Sequence, residues 1–133
     1  PVLKGADRMS VAQMAHAARE LVDRTRAGRA RLADLRGGTF TLSSIGMYPA
    51  LRWTTPLLNI PQVAILATGA VHAVHTAHGL GHRMGLSLTF DHRALNGVTA
   101  TRFVQRLADL IADPPDAVAR PDSQTYAQTK GAD

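Results

Sequence analysis

The chain has 133 residues, of which 45% are hydrophobic and 19% charged, with a formal net charge of +5 and no cysteine. That length suits one domain able to bury its own core, and no apolar run approaches the roughly 18 residues that a membrane span needs. The lack of cysteine excludes disulfides, thiolate nucleophiles and cysteine-based metal sites, and it agrees with a cytoplasmic setting.

The positive charge raises nucleic acid as a partner, because clustered Lys and Arg neutralise phosphates. Here Arg24, Arg26, Arg29, Arg31 and Arg36 gather around one helix end and the loop after it, where cations complement the helix dipole. Stacking aromatics are not interleaved with them, so neither nucleic acid nor membrane is expected as a partner. The chain starts at Pro1 without a signal-like segment and reads as part of a longer protein.

In chain order, Ser10 and Gln13 have the spacing of a capping box, with Met9 and Met14 beside them. Val11, Met14, Ala18, Leu21 and Val22 recur at helical spacing, and Gly28 sits where a helix stops, so a helix is predicted over about 10–27. "RARLADLRGG" reads as a short connector. "GTFTLSSIG" reads as a strand with Phe40 and Leu42 on the core face and Thr41 and Ser43 on the other. "MYPALRWTTPLLNIP" has three prolines and no period, which predicts an irregular crossing segment.

"QVAILATGAV" is a continuous apolar run, the mark of a strand buried on both faces, and "HGLGHR" is predicted to turn the chain into "RMGLSLTFDH". There Met84, Leu86, Leu88 and Phe90 alternate with Gly85, Ser87 and Thr89, so this strand delivers His92 at its carboxyl end. From Val98 onward Phe103, Val104, Leu107, Leu110 and Ile111 trace a second amphipathic helix, ended by Pro114 and Pro115. Residues 116–133 are polar and read as a flexible or docking tail. The pattern is helix, three strands, helix, with too few strands to protect their edges without further chain or another subunit.

His92 carries the one side chain whose ordinary pKa lies near neutrality, so it suits removal of a thiol proton. Asn96, four residues on, is near enough for its amide to order a site, and the Ser43 hydroxyl could donate to an oxyanion. On spacing alone, a single histidine at a strand end is more often structural. His72, His75, His78 and His82 could suggest zinc, yet no carboxylate or cysteine accompanies them, and they read as exposed turn residues. His16 reads as a partly buried helix residue. Asp91 and Arg93 form either a surface pair or a brace for the backbone around His92. Tyr48 and Trp53 either line a cofactor channel or pack against a neighbour. "GGTF" is no phosphate loop, since it precedes a strand and lacks the lysine.

"DHRALNG" resembles the DHRxxDG or DHRxxNG motif of the dihydrolipoamide acyltransferases, the acyltransferase (E2) components of 2-oxo acid dehydrogenase complexes. "PVLKGADRMSVAQMAHAARELVDRTRAG", "DLRGGTFTLSSIGMY", "TPLLNIPQVAILATGAV" and "MGLSLTFDHRALNGVTATRFVQRLADLIADP" are similar to successive segments of that family in family order. The resemblance implies the C-terminal part of the catalytic domain over residues 1–115, followed by the tail. The implied fold is α/β, a chloramphenicol acetyltransferase-like two-layer sandwich of helices against a mixed sheet. The earlier part of that domain, the lipoyl domain with its lipoyl group and the subunit-binding domain are expected to lie outside the sequence.

By the same resemblance, His92 matches the general base, Ser43 the hydroxyl that stabilises the tetrahedral oxyanion, and Asn96 a position more often filled by Asp. The implied reaction moves an acyl group, acetyl or branched-chain, between the dihydrolipoamide thiol and coenzyme A, without a metal. The implied partners are two further copies in a homotrimer, with the site between neighbouring subunits and the histidine and serine from different chains, a larger oligomeric core, and the dehydrogenase (E1) and dihydrolipoamide dehydrogenase (E3) components. A non-catalytic scaffold subunit of such a core is the alternative, and Asn96 is the feature that leaves room for it.

Overall fold

A computed structural model of the chain describes residues 1–77 and 79–115, so His78 and the expected tail lie outside the described residues. The chain divides into two compact units. Among the described residues, the first takes in 1–38 and 109–115, and the second spans Thr39–Ala108.

In the first unit, helix α1 covers Val11–Arg26 and begins as the sequence predicts. The Ser10 hydroxyl accepts from the Gln13 N–H at 3.2 Å, and the Gln13 side chain accepts from the Ser10 N–H at 2.9 Å. These bonds satisfy two of the donors that a helix start leaves open. Gly28 follows the helix with φ 69°, a left-handed turn that glycine takes without steric cost. His16 departs from expectation: it is exposed and faces Glu20 at 3.4 Å, one helical turn on.

The predicted connector is more ordered than its composition suggests. Leu32–Asp34 forms a short 3-10 turn, and Asp34 is buried. Its carboxylate accepts from Arg24 Nε at 3.2 Å and from Arg31 at three donors, the nearest being the backbone N–H at 2.9 Å. Its carbonyl accepts from the Val2 N–H at 2.7 Å. Two arginines of the basic cluster are therefore committed to an internal carboxylate. Hydrogen bonds from Arg31, aided by Arg24, hold that carboxyl well below the usual carboxylate range.

The second unit holds a three-stranded sheet in the order β1 (Thr41–Ser44), β2 (Ala64–Thr68), β5 (Leu86–Phe90). β1 runs parallel to β2, and β5 antiparallel, so the sheet is mixed. Central β2 is buried from Ala64 to Ala67, as a continuous apolar run requires. Helix α2 spans Gly97–Ala112, from the second unit into the first. Phe103 on α2 meets Phe40, with ring centroids 6.0 Å apart.

The predicted core face of β1 is largely uncovered, and Phe40 stays exposed despite that contact. Leu42, on the same side as Phe40, is 66% exposed, whereas Thr41 and Ser43 are half-buried. The reason at Thr41 is local: its hydroxyl donates to Gln62 at 2.6 Å and accepts from Asn59 at 3.0 Å, which draws the crossing segment onto that side. All five residues of β5 are half-buried, so its predicted one-sided alternation is not seen either.

The expected histidine-rich turn is a hairpin. His72 and His75 lie in β3 (His72–Thr76) and His82 in β4 (Gly79–Arg83), paired antiparallel with His75 opposite Leu80. Glycine and histidine mask the alternation here, and Gly79 at φ 108° supplies the tight reversal. His75 and His82 are exposed, as predicted, and His72 is half-buried.

The crossing segment has no regular structure, as its prolines predict. It is nonetheless pinned. The Ala70 N–H donates to the Leu51 carbonyl at 2.9 Å, and the Arg52 backbone crosses Gly69 and Gly85, which are joined by a bond of 3.0 Å from the Gly69 N–H to the Gly85 carbonyl. A Cβ at either glycine would run into the Arg52 carbonyl, so both positions need the missing side chain.

Candidate functional site

β5 ends at Phe90, and the chain then turns through Asp91–Asn96 into α2. Asp91 ties this turn together. Its N–H donates to the Val63 carbonyl at 2.8 Å, just before β2, and its own carbonyl accepts from the Ala94 and Leu95 N–H groups, both at 3.0 Å. Its carboxylate accepts from the Arg93 N–H at 2.9 Å and from the Arg93 guanidinium at 3.0, 3.0 and 2.6 Å. The Arg93 hydrogen bonds hold the Asp91 carboxyl down at about 2, against the opposing effect of burial, and raise the Arg93 guanidinium.

His92 stands between this bonded pair and is exposed. Its ring lies against Phe90, centroids 4.6 Å apart and planes tilted by 53°. Among the described residues the imidazole makes no hydrogen bond, so both nitrogens are available for proton exchange. An imidazole with a fixed backbone, one packed face and open nitrogens is suited to general acid–base chemistry.

Asn96 closes the turn from the other side. Its side-chain oxygen accepts from the Thr99 N–H at 2.9 Å, and its carbonyl accepts from the Ala100 N–H at 3.1 Å. It is therefore the N-cap of α2, a role suited equally to Asn and Asp. Apolar periodicity alone places the start of this helix at Val98 and passes over the cap. The signal was there, since Asn ranks among the most favoured residues before a helix.

Ser43 is half-buried on β1, and among the described residues its hydroxyl makes no hydrogen bond. The neighbouring Ser44 hydroxyl instead accepts from the Gly46 N–H at 3.3 Å. The strand register keeps Ser43 from His92 within one chain. Ser43 is level with Ala67, and Ala67 with Ser87, so His92 lies two strands across and five residues further along. At about 4.8 Å per strand and about 3.3 Å per residue, the two Cα atoms are roughly 15 to 20 Å apart, too far for the side chains to meet. The structure brings His92 and Asn96 together on one turn and leaves Ser43 elsewhere on the sheet. Among the described residues, no group of three or more His, Asp or Glu side chains is arranged to hold a metal ion.

Residues 1–119 match the family of 2-oxoacid dehydrogenases acyltransferase (catalytic domain), and the chain belongs to that family. Among curated relatives it is 36% identical over 117 residues to the dihydrolipoyllysine-residue acetyltransferase component of the pyruvate dehydrogenase complex of Azotobacter vinelandii, a match covering 85% of this chain and 18% of the relative. It is 35% identical to the succinyltransferase component of the 2-oxoglutarate dehydrogenase complex of the same organism, covering 86% of this chain and 29% of the relative. Acetyl and succinyl relatives are thus equally similar over this segment, which spans under a third of either.

The solved structure of A. vinelandii dihydrolipoamide acetyltransferase superposes with a TM-score of 0.77 at 35% identity, over 85% of this chain and 48% of that one. The α/β fold is that of these acyltransferase cores. That structure comes from work on the role of a serine, a histidine and an asparagine in catalysis, and its histidine and asparagine are four positions apart, as His92 and Asn96 are here.

Proposed function

We propose that the chain is the C-terminal part of an acyltransferase catalytic domain, over residues 1–115 with a tail at 116–133, that moves an acyl group between the dihydrolipoyl thiol and coenzyme A. The observation that carries this reading is His92: exposed, unbonded at both ring nitrogens among the described residues, and fixed on a turn bonded at each end. His92 takes the proton from the coenzyme A thiol. The thiolate sulfur bonds to the carbonyl carbon of the acyl-dihydrolipoyl thioester, giving a tetrahedral oxyanion. Collapse breaks the older carbon–sulfur bond, and the imidazolium returns its proton to the departing thiolate.

Ser43 donates its hydroxyl to the oxyanion. Its distance from His92 within one chain supports a site formed by two copies, with His92 from one and Ser43 from its neighbour. A homotrimer within a larger core provides such neighbours, and E1 and E3 components complete the reaction cycle. Asn96 supports His92 through the α2 cap, where its side-chain oxygen is the group in use. This role accommodates an amide as well as a carboxylate, so Asn96 gives no ground for the scaffold reading. The acyl group is acetyl or branched-chain by the family resemblance, with succinyl equally compatible with the identities above.

The test is acyl transfer between coenzyme A and dihydrolipoamide by the full-length assembled protein. We expect His92→Ala to lower kcat by about 10²- to 10⁴-fold. Equal rates in the two proteins would remove the catalytic assignment and favour a scaffold.

A further inference from the structure

Asp91 has every polar group engaged, and each bond acts on the turn that carries His92. Its N–H fastens the end of β5 to Val63 at 2.8 Å, and its carbonyl closes the turn on Ala94 and Leu95. Its carboxylate grips both the Arg93 N–H and the Arg93 guanidinium, at 2.6 to 3.0 Å. His92, placed between the two gripped residues, has its backbone direction fixed on both sides while its ring stays open apart from Phe90.

Two physical roles compete for this pair. As a stability element it is weak, because Arg93 is 90% exposed at its side chain and solvent-exposed ion pairs contribute little to folding. As an aiming device it is strong, because a misplacement of about 1 Å at a reacting group costs up to roughly 100-fold in rate. Asp91 is also only 22% exposed, so its carboxylate is the fixed member and Arg93 closes over it. A surface ornament would not need the backbone N–H of Arg93 as well as its guanidinium.

We infer that Asp91 is a positioning residue for His92, holding the imidazole at the angle that thiol deprotonation needs, with Arg93 as its clamp. This rests on the general-base reading of His92 above. The substrate touches His92 and not Asp91, so loss of the carboxylate acts on turnover rather than on substrate affinity.

The experiment measures kcat, KM for coenzyme A and melting temperature in the full-length assembled protein, for Asp91→Asn, Asp91→Ala, Arg93→Ala, Arg93→Lys and the Asp91→Asn/Arg93→Ala double variant, beside His92→Ala. Expected is a kcat lower by about 10- to 100-fold in the Asp91 variants and Arg93→Ala, with KM and melting temperature nearly unchanged. The double variant should be no worse than the weaker single one, because both changes remove one device. Arg93→Lys should recover part of the rate, since an ammonium gives the charge without the fork. A wild-type kcat in Asp91→Ala beside an inactive His92→Ala overturns the inference and leaves the general base standing. A kcat loss matched by a fall in melting temperature also overturns it, by making Asp91 structural. Full activity in His92→Ala overturns the general-base reading itself, and this inference with it.

Discussion

Asp34 and Asp91 are both carboxylates gripped by an arginine a few residues away in sequence, one in each compact unit. Asp34 is 9% exposed at its side chain and takes two arginines, Arg24 from α1 and Arg31 from the following loop. Asp91 is more open, takes one arginine, and sits beside an exposed imidazole. The same ion pair serves opposite ends in the two places. Around Asp34 it fastens a loop to the end of a helix, so its loss is felt in folding. Around Asp91 it fastens two residues of one turn, so its loss is felt in the direction of the side chain between them.

The sharpest way to break this comparison is at the two reacting groups. His92→Ala should cost about 10²- to 10⁴-fold in kcat, and Ser43→Ala about 10²- to 10³-fold, each without a change in melting temperature. Mixing His92→Ala with Ser43→Ala subunits should restore activity to a fraction of sites if the two groups come from different copies, and steady-state rates of co-assembled cores would measure it. Asp34→Asn, by contrast, should lower the melting temperature by several degrees and leave kcat per folded core unchanged, which differential scanning calorimetry beside activity would read. It removes a buried charge while leaving two arginines facing an amide.

Asn96→Ala should cost about 1 kcal/mol of stability through the lost cap, while Asn96→Asp and Asn96→Ser should keep it, as chemical denaturation would show. The smallest effect concerns pH. The Asp34 carboxyl is held below the ordinary aspartate value of about 3.9, so its pairing adds stability that is fully present above about pH 4 and is lost as pH falls below that. Melting temperatures at pH 5, 3 and 2 should therefore fall in part through Asp34. The Asp34→Asn variant should show a shallower slope over that interval, and Asp91→Asn the wild-type slope.

The elements that the sequence made plain are those whose signal is local. Ser10 and Gln13 announced α1, the apolar run 64–67 announced a buried strand, and "DHRALNG" announced its family. What stayed hidden depends on partners remote in the chain. The burial of Asp34 needs Arg24, ten residues earlier, and position at a helix end made that arginine look like a partner of the helix dipole. The uncovered side of Leu42 depends on where Asn59 and Gln62 fold, and the β3–β4 hairpin hides because glycine and histidine blur its alternation. Of the candidate site, His92, Asn96 and Ser43 stand out in the sequence through the motif and its resemblance. The separation of Ser43 from His92 within one chain was implied by the family resemblance alone, because its physical cause lies in strand order and register.

The two glycines beneath Arg52 act as a gauge of that register. A one-residue slip between β2 and β5 would bring Thr68 or Ala70, or else Met84 or Leu86, into the place of a glycine, and the strap of chain above would no longer fit. Correct alignment of two strands is thereby checked by a third, distant piece of backbone, through a keyhole cut by two absent side chains. The alignment so checked is the one that sets how far Ser43 stands from His92.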